Sequence, residues 1–388
     1  MKKLSERTAG FTDSVIRRMT RVSNQYNAIN LSQGFPDFDP PQEITNRLAE
    51  VAGIGPHQYA LTWGAQNFRE ALARKQEHFY GMKIDPDKEI VVTCGSTEAM
   101  MAAMMSVCNP CDKVVIFSPF YENYGADTIL SGAEPIYVPL KPPAFSFDAD
   151  ELENAMKQPG VKALVLCNPS NPCGKVFTKE ELKTIAELAI KYDIYVITDE
   201  VYEHITYAPY FHTCIATLPG MRERTIICNS LSKTYSITGW RLGFVMAPFE
   251  IIERVKKVHD FLTVGAAAPL MEAAVVGLQF PDSYYEGLRD HYTHMKNLFT
   301  DGLKDIGLKF TEPQGAYYVL VDISEFGYES DLRFCEELAQ KVGVGAVPGS
   351  SFFKEPENRY IRFHFAKRDA TLNEALERLA NIHKMMKK

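Results

Sequence analysis

Ser230-Leu231-Ser232-Lys233-Thr234-Tyr235-Ser236-Ile237-Thr238-Gly239-Trp240-Arg241 surrounds one amine with hydroxyls and sets an arginine eight residues beyond it. A lysine amine condenses with an aldehyde only when deprotonated, and a neighbouring cation or an apolar pocket lowers its pKa toward neutrality. Arg241 can provide that cation while its planar fork grips a phosphate dianion. Ser230 and Ser232, alternating in an extended segment, point to one side and add hydroxyl donors. An isolated Ser-Lys pair would usually be a solvated lysine in a polar loop. Here residues 225–229 and 242–246 read as buried strands on either side, so the lysine lies between two core elements.

Composition narrows what can surround this segment. At 388 residues the chain suits two unequal lobes, and 46% hydrophobic with 23% charged residues is ordinary for a globular enzyme. A net charge of −7 and a pI near 5.8 argue against a nucleic-acid partner. No apolar run approaches the ~20 residues that span a bilayer, and residues 1–7 lack the apolar region of a secretory signal. We therefore expect a cytoplasmic protein without a membrane partner. The eight cysteines are scattered through apolar stretches, as reduced core thiols are. Cys108-Asn109-Pro110-Cys111, with no second pair, reads as a helix-to-strand turn. The nine histidines form no ligand cluster, and no metal is expected.

Through the middle of the chain strand-like and helical runs alternate: strands at 90–94, 113–117, 163–167 and 194–198, helices at 97–107 and 179–191. Such alternation gives a mostly parallel sheet covered on both faces, with the site at the carboxyl ends of its strands. From about Tyr285 the pattern becomes a long amphipathic helix, a strand at 316–321, a helix at 331–342 and a closing helix at 371–386. This predicts a second, α+β lobe. The expected division is an N-terminal segment 1–45 packing with the small domain, a large domain 46–284 and a small domain 285–388.

Four further segments supply what a phosphorylated pyridine aldehyde needs. Thr93-Cys94-Gly95-Ser96-Thr97-Glu98 runs strand, glycine turn, helix start, so the first N–H groups of the helix can cradle an anion; simple capping by Ser96 or Thr97 is the alternative. Asp199, at the end of a buried strand in Ile197-Thr198-Asp199-Glu200-Val201-Tyr202, can hold a ring nitrogen protonated and make the ring an electron sink, or merely cap a helix. Tyr202 can hydrogen-bond a phenolic ring oxygen or be a core tyrosine. Asn168-Pro169-Ser170-Asn171-Pro172 follows a strand with two Asn-Pro steps, which push each asparagine out of the helical region and let an amide aim into a cleft. Arg362, in Arg359-Tyr360-Ile361-Arg362-Phe363-His364-Phe365, can take a carboxylate through two parallel hydrogen bonds; taken alone it reads as a surface cation on an edge strand.

Together these motifs resemble the class I/II aminotransferases of pyridoxal-phosphate fold type I, and closest the kynurenine aminotransferase and glutamine transaminase branch. The resemblance spans nearly the whole chain. It implies an α/β fold whose large domain holds a mostly parallel seven-stranded sheet, with pyridoxal 5'-phosphate (PLP) as cofactor. It further implies Lys233 as the lysine that joins the cofactor's aldehyde and shuttles the proton, Asp199 as partner of the ring nitrogen, and Tyr202 and Asn171 on the ring oxygen. Gly95, Ser96, Thr97, Ser230, Ser232 and Arg241 would hold the phosphate, Tyr121 would stack on the ring, and Tyr59 would reach across a homodimer interface to the neighbouring phosphate. Arg362, Asn171 and the backbone at Gly34 would bind substrate.

The implied activity is ping-pong transfer of an amino group from an aromatic or sulfur-containing L-amino acid to a 2-oxo acid. Aspartate or alanine specificity is an alternative, as is a cysteine-conjugate C–S β-lyase on the same fold. Cys173 and His364 depart from the family pattern, and Arg17, Arg18 and Arg21 have no assigned place. Trp63 and aromatic residues near the N-terminal segment suggest an apolar side-chain pocket. A nicotinamide-binding reading of residues 343–349 fails because the third glycine comes late and follows a proline. A ligand-sensing regulator would need a basic DNA-binding extension.

Overall fold

Continuous apolar runs become strands buried on both faces. The computed structural model describes residues 2, 4–11 and 13–387. Its strands, in chain order, are β1 (Ile29–Asn30), β2 (Ile90–Thr93), β3 (Lys113–Ser118), β4 (Glu134–Pro139), β5 (Val161–Cys167), β6 (Tyr195–Asp199), β7 (Thr225–Ser230), β8 (Gly243–Met246), β9 (Lys309–Phe310), β10 (Tyr318–Asp322), β11 (Val344–Gly345), β12 (Val347–Pro348) and β13 (Tyr360–His364). Seven of them form one sheet in the order β2-β8-β7-β6-β5-β3-β4, all parallel except β8, which runs against both neighbours.

Alternate residues explain why the runs are unbroken. Val114, Ile116, Val165 and Ile197 face the helices Ser96–Val107 and Phe249–Thr263, whereas Val115, Phe117, Leu164 and Val196 face Ala149–Met156 and Lys179–Lys191. Each fully buried aliphatic side chain contributes about 1.5–3 kcal/mol, so neither face tolerates a polar substitution. The helix Lys179–Lys191 is fixed by a capping box between Thr178 and Glu181.

A four-stranded antiparallel sheet, β12-β13-β10-β9, packs with the helix Asp282–Ile306 around Phe299, Phe363 and Tyr317. The N-terminal segment joins it, because β1 pairs in parallel with β11 at Ile29↔Val344.

Several elements differ from the sequence expectation. β4 was not anticipated: Pro135 and Pro139 disguise it, and they are tolerated because β4 is an edge strand. The helix expected over 331–342 is Asp331–Glu337 followed by a wider turn, Leu338–Val342. The closing helix is two, Asp369–Leu379 and Ile382–Met386. Strand 316–321 moves on to Tyr318–Asp322.

Candidate active site

The carboxyl ends of β5, β6 and β7 open into a cavity of about 480 Å³. At one end Gly95 caps the helix Ser96–Val107 with no side-chain hydrogen bond, so the expected alternative of simple capping by Ser96 or Thr97 is not what the turn does. The first N–H groups of a helix have no partner within it. Gly95 has φ +85°, and a Cβ there would collide with the Arg241 guanidinium. Register explains that closeness: Thr93 pairs with Gly243, and Ser230 pairs with Gly243 from the other side, so the glycine turn, the serine and the arginine end on neighbouring strands. Arg241 is itself left-handed at φ 56°, a conformation of order 1–3 kcal/mol above the ordinary ones. Ser96, Thr97, Ser230, Ser232 and Arg241 all line this end of the cavity.

At the centre, Lys233 Nζ donates to the Gly34 carbonyl at 3.3 Å and lies 5.8 Å and 5.6 Å from the ring centres of Tyr202 and Tyr317. Burial lowers its pKa to about 8, with Asp199 opposing and Arg241 and Arg362 adding to the fall. Asp199 is buried at the end of β6, where Tyr124 donates to Oδ2 at 2.7 Å. Its bond from the Val201 N–H is long, 3.4 Å, so helix capping is not its main engagement. Burial pushes the Asp199 carboxyl up, and the Tyr124 hydrogen bond works against that. The hydroxyls of Tyr202 and Tyr318 meet at 2.9 Å. A Cβ at Gly34 would strike Tyr318, so only glycine lets this backbone approach.

At the other end the structure corrects the surface reading of Arg362. β13 is an inner strand of its sheet, and Arg362 is 1% exposed. Its guanidinium donates to Asn171 Oδ1 at 2.6 Å and to the Ser32 carbonyl at 2.9 Å, sandwiched between Tyr318 and Phe352. No carboxylate pairs with it among the described residues, and Nε has no partner. A buried cation without a counter-ion is costly.

The cavity thus gathers Gly34, Ser96, Thr97, Tyr121, Asn171, Asp199, Tyr202, Ser230, Ser232, Lys233, Arg241 and Arg362, with Gly95 behind it. Tyr59 stands apart, 87% exposed at the surface. Trp63 does not line the cavity; it packs on the sheet beneath Lys256, contrary to the pocket role expected of it. Cys173 and His364 are buried outside the lining. Arg18 and Arg21 pair with Glu336 and Asp13, whereas Arg17 lines the cavity and its guanidinium has no partner among the described residues. Sequence reasoning missed Tyr124, Tyr318, Ser14, Gln33 and Glu122. Only Tyr124, three residues beyond Tyr121 and at the start of the helix Asn123–Leu130, stands close to a residue the sequence singles out. Glu200, Glu203 and His212 approach within 4.8 Å, but the Lys75 ammonium already neutralises Glu203 at 2.6 Å.

The family profile described as aminotransferase class I and II matches residues 26–379. The chain belongs to this family. The aminotransferase is 36% identical over 370 residues to a methionine aminotransferase of Escherichia coli (strain K12), covering 95% of this chain and 96% of that protein. It is 32% identical to kynurenine--oxoglutarate transaminase 3 of Bos taurus over 97% of this chain and 89% of that one. Its fold matches the N-succinyldiaminopimelate aminotransferase of Mycobacterium tuberculosis with a TM-score of 0.94 at 34% identity, over 97% and 99% of the two chains.

Aminotransferases of this class use pyridoxal phosphate, and the residues present fit it. Uncapped helix N–H groups, two serine hydroxyls and a guanidinium converge at one end for a phosphate, a buried carboxyl faces the middle for a ring nitrogen, and Lys233 lies between them. No described helix is long and apolar enough to cross a membrane.

Proposed function

We propose that this aminotransferase takes the amino group of an aromatic or sulfur-containing L-amino acid and passes it to a 2-oxo acid in alternating half reactions at Lys233. The observation that carries this reading is the occurrence, across one cavity, of a lysine amine with a lowered pKa and a buried guanidinium lacking a carboxylate partner. An α-amino acid supplies the missing carboxylate and, beside it, the carbon on which the amine acts.

When bound, pyridoxal phosphate supplies an aldehyde carbon and a ring that withdraws electrons from the substrate α-carbon. The turn at Gly95, Ser96 and Thr97, with Ser230, Ser232 and Arg241, would hold the phosphate. Asp199 would keep a proton on the ring nitrogen. Tyr202 and Asn171 would donate to the ring oxygen, and Tyr121 would shield the ring from water. Arg362 and Asn171 fix the substrate carboxylate so that the α-hydrogen faces Lys233, whose neutral amine takes that proton.

Ile16, Phe35 and Tyr121 line the space left for a side chain, which suits an apolar donor and agrees with what the methionine and kynurenine enzymes are named for. One site must also take the acceptor. Arg17, which lines the same cavity, offers a cation to the distal carboxylate of a dicarboxylic oxo acid.

We further propose a homodimer. Tyr59 and Leu61 on one stretch and Phe261, Leu262 and Val264 at the end of a helix are all exposed, and the two stretches meet where His259 Nε2 faces the Thr62 carbonyl at 2.7 Å. Such an apolar face calls for cover, and a second copy would bring Tyr59 to the neighbouring phosphate. Eight free thiols accord with a cytoplasmic setting. The seven-stranded sheet accords with a large domain 46–284, and the four-stranded sheet together with the β1–β11 pair accords with a small domain 285–388 joined by the N-terminal segment.

The test is a panel of amino donors against 2-oxoglutarate and pyruvate, compared as kcat/KM. Preference for aspartate or alanine overturns the substrate class. Pyruvate and ammonia from a cysteine conjugate without any acceptor would make it a C–S β-lyase.

A further inference from the structure

Beneath the anion-binding turn lies a buried pair that the chemistry above does not use. Glu98, in the first turn of the helix Ser96–Val107, accepts the Cys94 N–H at 2.5 Å through Oε2. Its Oε1 faces His259 Nδ1 at 2.6 Å and accepts the Thr263 hydroxyl at 2.8 Å. His259 Nε2 faces the Thr62 carbonyl at 2.7 Å. The histidine side chain is fully enclosed and the glutamate nearly so.

The proton positions follow from the partners. A carbonyl oxygen only accepts, so Nε2 carries hydrogen; a carboxylate already receiving an N–H and a hydroxyl also accepts, so Nδ1 carries one too. His259 is therefore an imidazolium. Burial opposes charge on both partners, but their mutual hydrogen bond and field prevail, raising His259 and lowering Glu98.

A carboxylate in the first turn of a helix is favourable until a second anion must dock on the same N–H groups; then it repels that anion. We propose that His259 is a positioning residue of the phosphate site: its imidazolium neutralises Glu98 under the Gly95-Ser96-Thr97 turn, and its other N–H holds the 55–64 loop, which carries Tyr59, against that turn. This rests on reading the turn as the phosphate cradle. It adds that cradle and loop are joined through one ring, so anion binding at the turn and order in the loop rise and fall together.

The test uses the full-length protein freed of cofactor, with inorganic phosphate as probe. Calorimetry gives affinity, and amide hydrogen exchange follows residues 57–63. In His259→Gln the uncompensated carboxylate weakens phosphate binding on the order of tenfold, and loop exchange speeds up and stops responding to phosphate. Glu98→Gln acts in the opposite direction and binds phosphate at least as tightly as the wild type. The double variant recovers affinity without recovering loop protection. A merely structural pair would make both single variants bind worse, so weaker binding by Glu98→Gln overturns the proposal, as does unchanged affinity in His259→Gln. Either result leaves the cradle reading intact; absence of phosphate binding in the wild type and Lys233→Ala alike overturns both.

Discussion

Tyr124 donates its hydroxyl to Asp199 Oδ2 at 2.7 Å, linking the helix Asn123–Leu130 to the end of β6. Among the described residues this is the one hydrogen bond from a side chain that steadies a buried carboxyl which burial would otherwise neutralise. Removing it in Tyr124→Phe should cost roughly 1.5–3 kcal/mol of interaction with the charged form, lowering kcat/KM at least about tenfold. The sign of the pH effect is also fixed. Without the donor the carboxyl rises further, so the acid limb of a pH profile of kcat/KM moves to higher pH.

Lys233 sets a second pH dependence. Its amine is protonated below about 8 and neutral above it, so the rate at which cofactor-free protein captures pyridoxal phosphate should climb with pH and level off near that value. A rate still climbing toward 10.5, the ordinary lysine value, would show an amine in water. Borohydride reduction and peptide mapping should put the cofactor mass on the peptide carrying Lys233, and Lys233→Ala should carry none.

The two arginines of the substrate end should separate kinetically. Arg362→Ala leaves cofactor binding intact but removes the paired hydrogen bonds to the α-carboxylate, raising KM for every amino acid by roughly two orders of magnitude. Arg17→Ala should lower kcat/KM for 2-oxoglutarate by about tenfold while changing that for pyruvate and for methionine little. Equal losses for all acceptors would place Arg17 outside side-chain recognition.

Stability rests in part on a buried ion pair that does not line the cavity. Lys75 Nζ meets Glu203 at 2.6 Å, both buried, and Tyr80 donates to the same carboxylate at 2.6 Å. Lys75→Met strands that carboxylate and should cost about 3–5 kcal/mol in chemical denaturation, whereas Lys75→Met with Glu203→Leu should restore much of it. Burial opposes the charge of Glu203, but Lys75 and His204 hold it well below 4.5. The contribution is thus complete above pH 4.5 and is lost only as pH falls through the depressed value.

How far the sequence reveals the site depends on how local each piece is. Lys233 and Arg241 share one segment with a fixed spacing, and Asp199 ends an unmistakable apolar strand, so all three could be placed before any coordinates. Arg362, taken alone, reads as an edge cation because its outer neighbour, β12, is two residues long and contains Pro348; so short a strand leaves no periodic pattern, and only the resemblance favours a substrate carboxylate. Tyr318 lies in a run of core aromatics, and Glu98 with His259 are 161 residues apart. Their significance exists only once the chain has brought them together. β4 escaped for a different reason, since proline argues against a strand unless the strand is known to be an edge.

The reversed strand has a consequence for the order of assembly. Because Thr93 meets Gly243 across β2 and β8, the anion cradle waits for residue 243 to leave the ribosome, while Arg362 emerges more than a hundred residues later. Growing chains fold their N-terminal units first. On the roles proposed for these residues, an unfinished polypeptide becomes able to retain the vitamin before it can recognise an amino acid, and ribosome-bound fragments ending between those two positions should distinguish these competences in time.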